Sequence, residues 1–350
     1  MISRRALLAA SVLFAIAASP RAQAEPNVAI TRELIAKLII PGYEKLREAA
    51  EAQAKLWSAF VAKPGTAAFG GLRDAYLKTA DAWSAIEFLH FGPAGVDFRF
   101  ERISYWPERK NATGKAMTIL LAGEGDEGLE PERFARTSAA GQGLPALERL
   151  LFDEDAEARL IASDTDGDRR RRVGLAIARN IEIIAGQILD GWRDGPDSVE
   201  KKLDDSAYAQ EATARIATDL LGLFQLIRDV KIEAPLGKTI DNARPRLAEG
   251  WRSGRSIRAI AINLVTVRDA ADIIFAHDTS EISSLSVLKS AVKIADSLIS
   301  EDLSALVTSP KQRSDAVLLY DAATSARDVC KLEIPNALGI TVGFNSLDGD

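Results

Sequence analysis

The chain has 350 residues and a formal net charge of −6, and 47% of its residues are hydrophobic and 27% charged. This composition excludes a disordered or fibrous protein, and the acidic excess, without a basic stripe, excludes a surface built for nucleic acid or anionic lipid. Two histidines and one cysteine cannot supply a disulfide framework, a zinc finger or an iron–sulfur site, so any metal site must use carboxylates.

The first 24 residues have the pattern of an export signal peptide. The basic start Met1–Arg5 precedes the apolar run Ala6–Ser19, and Ala22–Ala24 forms a small-residue cleavage box, so we expect the mature chain to begin at Glu25. Ser3–Leu8 resembles a twin-arginine signal, which leaves both that route and the general secretory route open. The apolar run is too short to span a bilayer. The sequence therefore predicts a periplasmic protein without a transmembrane segment in its mature part.

Apolar residues recur at helical spacing along most of the mature chain, and the alternation typical of strands is nearly absent. The pattern predicts an all-α fold with long helices near residues 29–62, 66–91 and 169–193, the first of which bends at Pro41-Gly42. One of the clearest helical series contains Ile257, Ile260, Leu264, Val267 and Ala271. The best strand candidate is the short segment 340–342.

A charged turn that contains glycine, residues 164–168, marks a soft boundary between two helical-bundle domains, residues 25–163 and 169–350. This turn is not an EF-hand loop, because its glycine stands at loop position four, and we expect it to be solvated. Before the boundary, residues 92–142 are rich in glycine, proline and aromatic residues. Irregular stretches of this kind on a rigid scaffold are where sites tend to lie.

Glu87 and His90 form a Glu-x-x-His pair, the spacing at which metal-binding bundles place two ligands on one helix face. Diiron bundles need a second copy, and His277 has no glutamate three residues before it. Two interpretations of His90 stay open: a metal ligand, or a helix-end histidine that interacts with the last carbonyls before Gly92.

The segment Gly143–Phe152 begins a helix, because Pro145 suits the first turn. Glu148 then lies near the positive end of the helix dipole, which is a sufficient structural role for it. The segment also resembles the signature of imelysin-like proteins, the family that includes the insulin-cleaving membrane protease and the iron-regulated protein A group. The resemblance extends to Phe91–Pro93, Arg102–Pro107, Glu249–Ser256 and Gly343–Asp350. It implies an exported, all-α protein of two packed helical bundles.

One position departs from the family signature Gly-x-His-x-x-Glu. The chain keeps Gly143 and Glu148 but has Pro145 where the histidine belongs. The His-x-x-Glu pair is the basis for regarding the family as metallopeptidases and as iron binders. Since proline can neither coordinate a metal nor shuttle a proton, neither role transfers to position 145. His90 could substitute only if it lies near Glu148 in space.

These residues favour an exported imelysin-like binding protein for iron or another divalent or trivalent metal, and a binder rather than an enzyme. Glu87, His90 and Glu148 are the candidate metal ligands. The expected partners are the metal ion or its chelate and envelope transport components, without nucleic acid.

The ligand site is expected between helices of the first half and residues 249–256. There, Arg102 and Arg252 could hold an anionic chelate or neutralise carboxylates. Trp106 and Trp251 would form walls, and Ser253 completes the candidate ligand-binding residues.

Two alternatives stay open. The first is a metal-free periplasmic scaffold or partner-docking protein, in which Glu148 only stabilises its helix. The second is a metallopeptidase, which the family name alone implies. We expect no peptidase activity, because neither His90 nor His277 has a histidine four residues away and no Gly-x-Ser-x-Gly segment is present.

Overall fold

The structure, a computed structural model, describes residues 27–194, 198–276, 278 and 282–340. These residues form helices and no strand, which confirms the predicted all-α fold. None of the helices in this part of the chain is both long and apolar enough to cross a membrane. The leader with its cleavage box, His277 and residues 341–350 lie outside the described residues, as do two of the three positions of the strand candidate.

The α-helices follow one another with short connections. They are α1 Val28–Leu34, α2 Ile40–Ala62, α3 Thr66–Ser84, α4 Arg99–Ile103, α5 Ala112–Ala122, α6 Pro131–Phe134, α7 Leu144–Phe152, α8 Ala156–Ile161, α9 Thr165–Arg193, α10 Val199–Lys202, α11 Ser206–Gln225, α12 Ala234–Leu236, α13 Ser256–Ile274, α14 Ser283–Ser297, α15 Leu303–Leu306 and α16 Arg313–Leu338. The π-helical segment Ile35–Ile39 joins α1 to α2, and the π-helical segment Leu226–Glu233 joins α11 to α12.

Two groups of long helices share one buried apolar core. In the first group α2 packs along both α3 and α9, and in the second α14 packs against α13 and α16 while α16 also contacts α11. Contacts of α13 with α3, and of α1 with α11 and α13, join the groups. Although α9 starts within the proposed boundary at residues 164–168 and continues beyond it, it packs against α2. The division into domains 25–163 and 169–350 stays a prediction.

Pro41 stands in the first turn of α2, directly after a π-helical segment. A proline inside a helix lacks an N–H donor and its ring clashes with the carbonyl four residues earlier. The wider turn of the π-helix accommodates such a residue without ending the helical run. The bend predicted at this proline thus falls next to a π-helical segment between α1 and α2.

The second predicted helix ends earlier than its sequence pattern indicates. We expected helix to residue 91, but α3 ends at Ser84. Beyond this point the Ile86 N–H and the Glu87 N–H both donate to the carbonyl of Trp83, at 2.9 and 2.8 Å, and the chain continues in turns. Residues 85–91 therefore do not share a regular helix face.

The turn at residues 164–168 starts α9. The side chain of Asp164 is exposed and accepts a hydrogen bond from the Gly167 N–H at 2.7 Å, which caps the helix. The next turn carries two buried arginines. Arg169 donates to the Leu120 carbonyl near the end of α5, and Arg171 donates to the Leu160 carbonyl near the end of α8. These bonds tie three helix ends together.

Candidate functional site

The signature segment forms α7 and begins at a close backbone contact. A Cβ atom on Gly143 would lie 2.2 Å from the carbonyl oxygen of Ile103, so only glycine fits there. Pro145 stands in the first turn, as its missing N–H allows. The helix buries Glu148, whose residue surface is 5% exposed. A buried carboxylate needs hydrogen-bond donors.

Ser253 supplies those donors from a distant segment of the chain. Its N–H and its hydroxyl both donate to Oε1 of Glu148, at 3.0 and 2.6 Å. Burial raises the pKa of the Glu148 carboxyl, while Ser253 and the nearby Arg252 and Arg255 oppose this increase. Residues 249–256 thus contact a helix of the first half at Glu148.

A small inner cavity lies beside this contact. It has a volume of about 30 Å³ and is lined by Tyr76, Ala80, Trp83, Ser104, Trp106, Leu144, Pro145, Glu148, Glu249, Gly250 and Arg255. A space of this size holds about one water molecule. Burial raises the pKa of the Tyr76 phenol well above its usual value. Pro145 occupies part of the wall and offers no ligand atom.

A buried ammonium group, which sequence reasoning missed, lies next to the cavity. Lys231, on the second π-helical segment, is 1% exposed, and its Nζ lies 2.5 Å from Oε1 of Glu87 and 2.7 Å from Oε2 of Glu249. The amide of Asn263 also donates to Oε1 of Glu87, at 2.8 Å. The two neighbouring carboxylates raise the pKa of Lys231 against the opposing effect of burial. Lys231 therefore stays charged between the two carboxylates, although burial and the charge of Glu249 still raise the pKa of Glu87.

Arg255 is a second buried cation that the sequence did not single out. It is 5% exposed, and its Nη2 donates to Oδ1 of Asp81 at 3.0 Å and to the Ser84 hydroxyl at 3.2 Å. Its attraction to Glu249 and Asp81 raises its pKa against desolvation. Arg255 thus contributes a second buried positive charge to the lining of the cavity beside Glu148.

The structure does not bring the three predicted metal ligands together. Glu87 binds Lys231, and Glu148 binds Ser253. His90 is exposed, and its ring stacks on Phe100 with 3.9 Å between centroids. The physical reason is the early end of α3, since Glu87 and His90 share a face only on a continuous helix. Among the described residues, no three His, Cys, Asp or Glu side chains are grouped as metal ligands.

The segment that carries His90 is fixed through its backbone. The N–H groups of His90 and Phe91 donate to Oδ2 of Asp219 on α11, at 2.9 and 2.7 Å. The interpretation of His90 as a histidine on the last turn of α3 also fails, because α3 ends six residues earlier, at Ser84.

Of the predicted ligand-binding residues, Arg102 lies apart. Its guanidinium donates to Oε1 of Gln142 at 2.8 Å and to Oδ1 of Asn180 at 3.0 Å. These two amide oxygens accept hydrogen bonds from the Arg102 guanidinium, which gives Arg102 a structural role. Arg102 does not line the cavity beside Glu148. Gln142 and Asn180 carry no sequence pattern that would have indicated this network.

The other predicted ligand-binding residues meet near Glu148. A passage of about 100 Å³ is lined in part by Trp106, Pro145, Glu148, Trp251 and Arg252, and Ser253 holds the Glu148 carboxylate. Toward the surface, the walls formed by Arg149, Trp251 and Arg252 continue into an outer cleft. This outer cleft has a volume of about 800 Å³ and is lined by Glu108, Asn111, Arg149, Phe152, Asp153, Glu154, Arg159, Arg246, Trp251 and Arg252.

The chain is similar to proteins of one family. A sequence model described as imelysin matches residues 39–328. A crystal structure of an imelysin-like protein from Psychrobacter arcticum 273-4 superposes with a TM-score of 0.71 at 21% identity, over 92% of this chain and 99% of that one. A structure from Parabacteroides distasonis ATCC 8503, described as an iron-regulated protein A precursor, has a TM-score of 0.65 at 14% identity, over 89% and 94% of the two chains. No curated protein matches the chain.

Proposed function

The chain belongs to the imelysin family, and on that premise we propose that it is an exported binding protein that takes part in iron acquisition. Its ligand site would be the recess formed by the inner cavity, the passage and the outer cleft. The family and a structural neighbour described as an iron-regulated protein A precursor support the link to iron. The leader at residues 1–24 supports export to the periplasm.

The observation that carries the proposal is the contact of Glu148 with Ser253. It joins the retained glutamate of the family signature to the segment after Gly250, and Trp106, Trp251 and Arg252 line the passage beside it. A concave site with aromatic walls and a few buried polar groups is the usual form of a small-molecule site.

The residues present do not fit a bare metal ion held by Glu87, His90 and Glu148. Glu87 already pairs with Lys231, the ring of His90 stacks on Phe100 instead, and Pro145 offers no ligand atom. Iron would therefore be carried as cargo inside a ligand of its own, and the protein would recognise that ligand.

Iron retention tests the proposal. The purified protein is incubated with ferric citrate and desalted, and its iron content is measured by elemental analysis. We expect the wild type to retain iron, and the variant Trp251→Ala/Ser253→Ala to lose most of it, because the variant removes a wall and the hydroxyl, one of the two donors that hold Glu148. The variant His90→Ala should retain iron, because that ring only stacks on Phe100.

Two results would contradict this proposal. No iron on the wild type would favour the metal-free scaffold, which the internal partners of Arg102 and Glu87 also support. Loss of iron in His90→Ala alone would show that iron is bound at the Glu87 and His90 pair.

We also propose that the protein is not a peptidase. Metal-dependent cleavage of unfolded proteins that disappears in a folded Glu148→Ala variant would contradict this proposal and favour a metallopeptidase.

A further inference from the structure

The outer cleft carries positive charge that the protein itself does not neutralise. Four arginines line it together with three carboxylates, on a chain whose overall charge is negative. Arg149 pairs with Glu108 at 3.1 Å, and Arg252 pairs with Asp153 at 2.5 Å. These two arginines are thus largely balanced by neighbouring carboxylates.

The other two arginines have no carboxylate partner among the described residues. Arg159 on α8 and Arg246 in the 3-10 turn Pro245–Leu247 are both exposed, and neither forms an ion pair with the part of the chain that the structure describes. Glu154, the remaining carboxylate of the lining, is also exposed and forms no ion pair within the described part of the chain. The unpaired groups therefore leave the cleft with one net positive charge.

The ring of Trp251 contacts two of the four arginines. The guanidinium carbon of Arg252 lies 4.2 Å from the centroid of the Trp251 ring, and that of Arg246 lies 5.5 Å from it. Such contacts are attractive and hold a guanidinium plane in place. Arg252 is further fixed by Asp153, and its side chain is only 12% exposed. The Trp251 ring thus orients two of the planar donors of the cleft, those of Arg246 and Arg252.

We infer that the outer cleft binds a small organic anion with at least two carboxylate groups. A guanidinium matches a carboxylate through two parallel hydrogen bonds. Because the unpaired arginines stand on two separate elements, a ligand that satisfies both needs separate anionic groups. The apolar faces of Trp251 and Phe152 suit the carbon skeleton between those groups, and the volume suits a small molecule.

This inference rests on the proposed function, whose ligand class it names: iron would arrive as a polycarboxylate chelate. The anion itself, free of iron, should already bind, because the arginines recognise its carboxylates and not the metal. Inorganic phosphate shares the attraction to arginine but lacks the carbon skeleton and the separated groups.

Calorimetric titration tests the inference with three probes: citrate, ferric citrate and inorganic phosphate. The variant is Arg159→Gln/Arg246→Gln, which removes two exposed guanidiniums that have no carboxylate partner. Its control, Arg179→Gln/Arg215→Gln, makes the same charge change at exposed positions that do not line the cleft. Thermal unfolding by circular dichroism shows that all the proteins are folded.

We expect metal-free citrate to bind the wild type and the control alike, and to bind the cleft variant at least about tenfold more weakly, since each lost charge-assisted bond contributes that much. Added salt should weaken binding. Equal affinity of citrate for the variant and the control, or no citrate binding to any protein, would overturn the inference. If phosphate binds as tightly as citrate, the inference that the ligand is a polycarboxylate is wrong.

The probes also separate this inference from the proposed function. If citrate binds through the two arginines but ferric citrate does not bind, the anion site stands and the role in iron acquisition fails. If ferric citrate binds the cleft variant as tightly as it binds the wild type, the role in iron acquisition stands and the arginine site fails.

Discussion

At the scale of single residues, the core of this protein contains a lysine between two carboxylates. Lys231 contacts Glu87, which follows α3, and Glu249, which precedes the Ser253 turn. The pair of contacts links the end of α3 to the segment that holds Glu148. Breaking a buried ion pair from one side leaves uncompensated charge, which is among the most destabilising of single changes.

The variant Lys231→Met should lower the free energy of unfolding by about 3–5 kcal/mol. Without the ammonium, the two carboxylates face each other in the core, and their pKa values rise above those of the unfolded chain. The folded variant then binds protons that the unfolded chain has released, so its stability should increase as the pH falls. Urea unfolding at several pH values measures both effects. The exposed lysine variant Lys78→Met is the control. If Lys231→Met lowers the free energy of unfolding no more than Lys78→Met does, Lys231 does not form a buried ion pair with Glu87 and Glu249.

The variant Glu148→Gln should gain stability relative to the wild type as the pH rises. Burial raises the pKa of Glu148 above the ordinary 4.5, so the folded wild type holds a proton that the unfolded chain has lost, and it loses stability as the pH rises through that range. Glutamine keeps an acceptor for Ser253 but does not titrate. Urea unfolding from about pH 4 to about pH 7 gives the difference, with the exposed Glu132→Gln as control. If the difference in free energy of unfolding between this variant and the wild type is independent of pH, folding does not shift the pKa of Glu148.

Residue types alone could predict part of the site. Glu148, Trp251, Arg252 and Ser253 stand in motif segments, and the structure brings them together. Lys231 could not be predicted, because it stands between Val230 and Ile232 without any motif and its burial depends on partners far along the chain. Glu87 and His90 have the right spacing, but spacing indicates a shared face only where the helix continues.

At the scale of helices, the contact between α2 and α9 depends on one glycine. A Cβ atom on Gly174 would lie 2.2 Å from the ring of Trp57, and this ring is fully buried. A second glycine of α9, Gly186, has no atom within 4 Å of the position where its Cβ would lie. The same substitution at the two positions therefore separates helix packing from helix propensity.

The variant Gly174→Ala should destabilise the protein by about 1–3 kcal/mol, because a rigid ring and two helix backbones must shift. The variant Gly186→Ala should stabilise it by up to about 1 kcal/mol, since alanine restricts the unfolded chain and favours the helix. Thermal or urea unfolding of both variants checks the signs. Stabilisation by both substitutions would show that α2 and α9 are not in close contact at Trp57.

Helix positions were more predictable than their irregularities. The apolar spacing indicated α9 and α13 because long amphipathic helices repeat one pattern many times. The two π-helical segments were not predictable, because one extra residue in a turn leaves the composition unchanged. The early end of α3 was also missed, since apolar residues continue past Ser84 into the turns that follow.

At the scale of the whole molecule, the fold joins segments that are far apart in sequence around one recess. Ser253 and Glu148 are 105 positions apart, and their contact places the cationic outer cleft beside the buried signature glutamate. An acidic protein thereby has a local cleft whose lining carries a net positive charge. Sequence indicated the two segments, but only the fold places Arg159 and Arg246 beside them.

X-ray diffraction at the iron absorption edge, from crystals of the protein grown with ferric citrate, would locate bound iron directly. We expect an anomalous peak in the outer cleft, with citrate carboxylates on the guanidiniums of Arg159 and Arg246. A peak between Glu87 and His90, or crystals of the fully folded protein that contain no iron, would contradict this expectation.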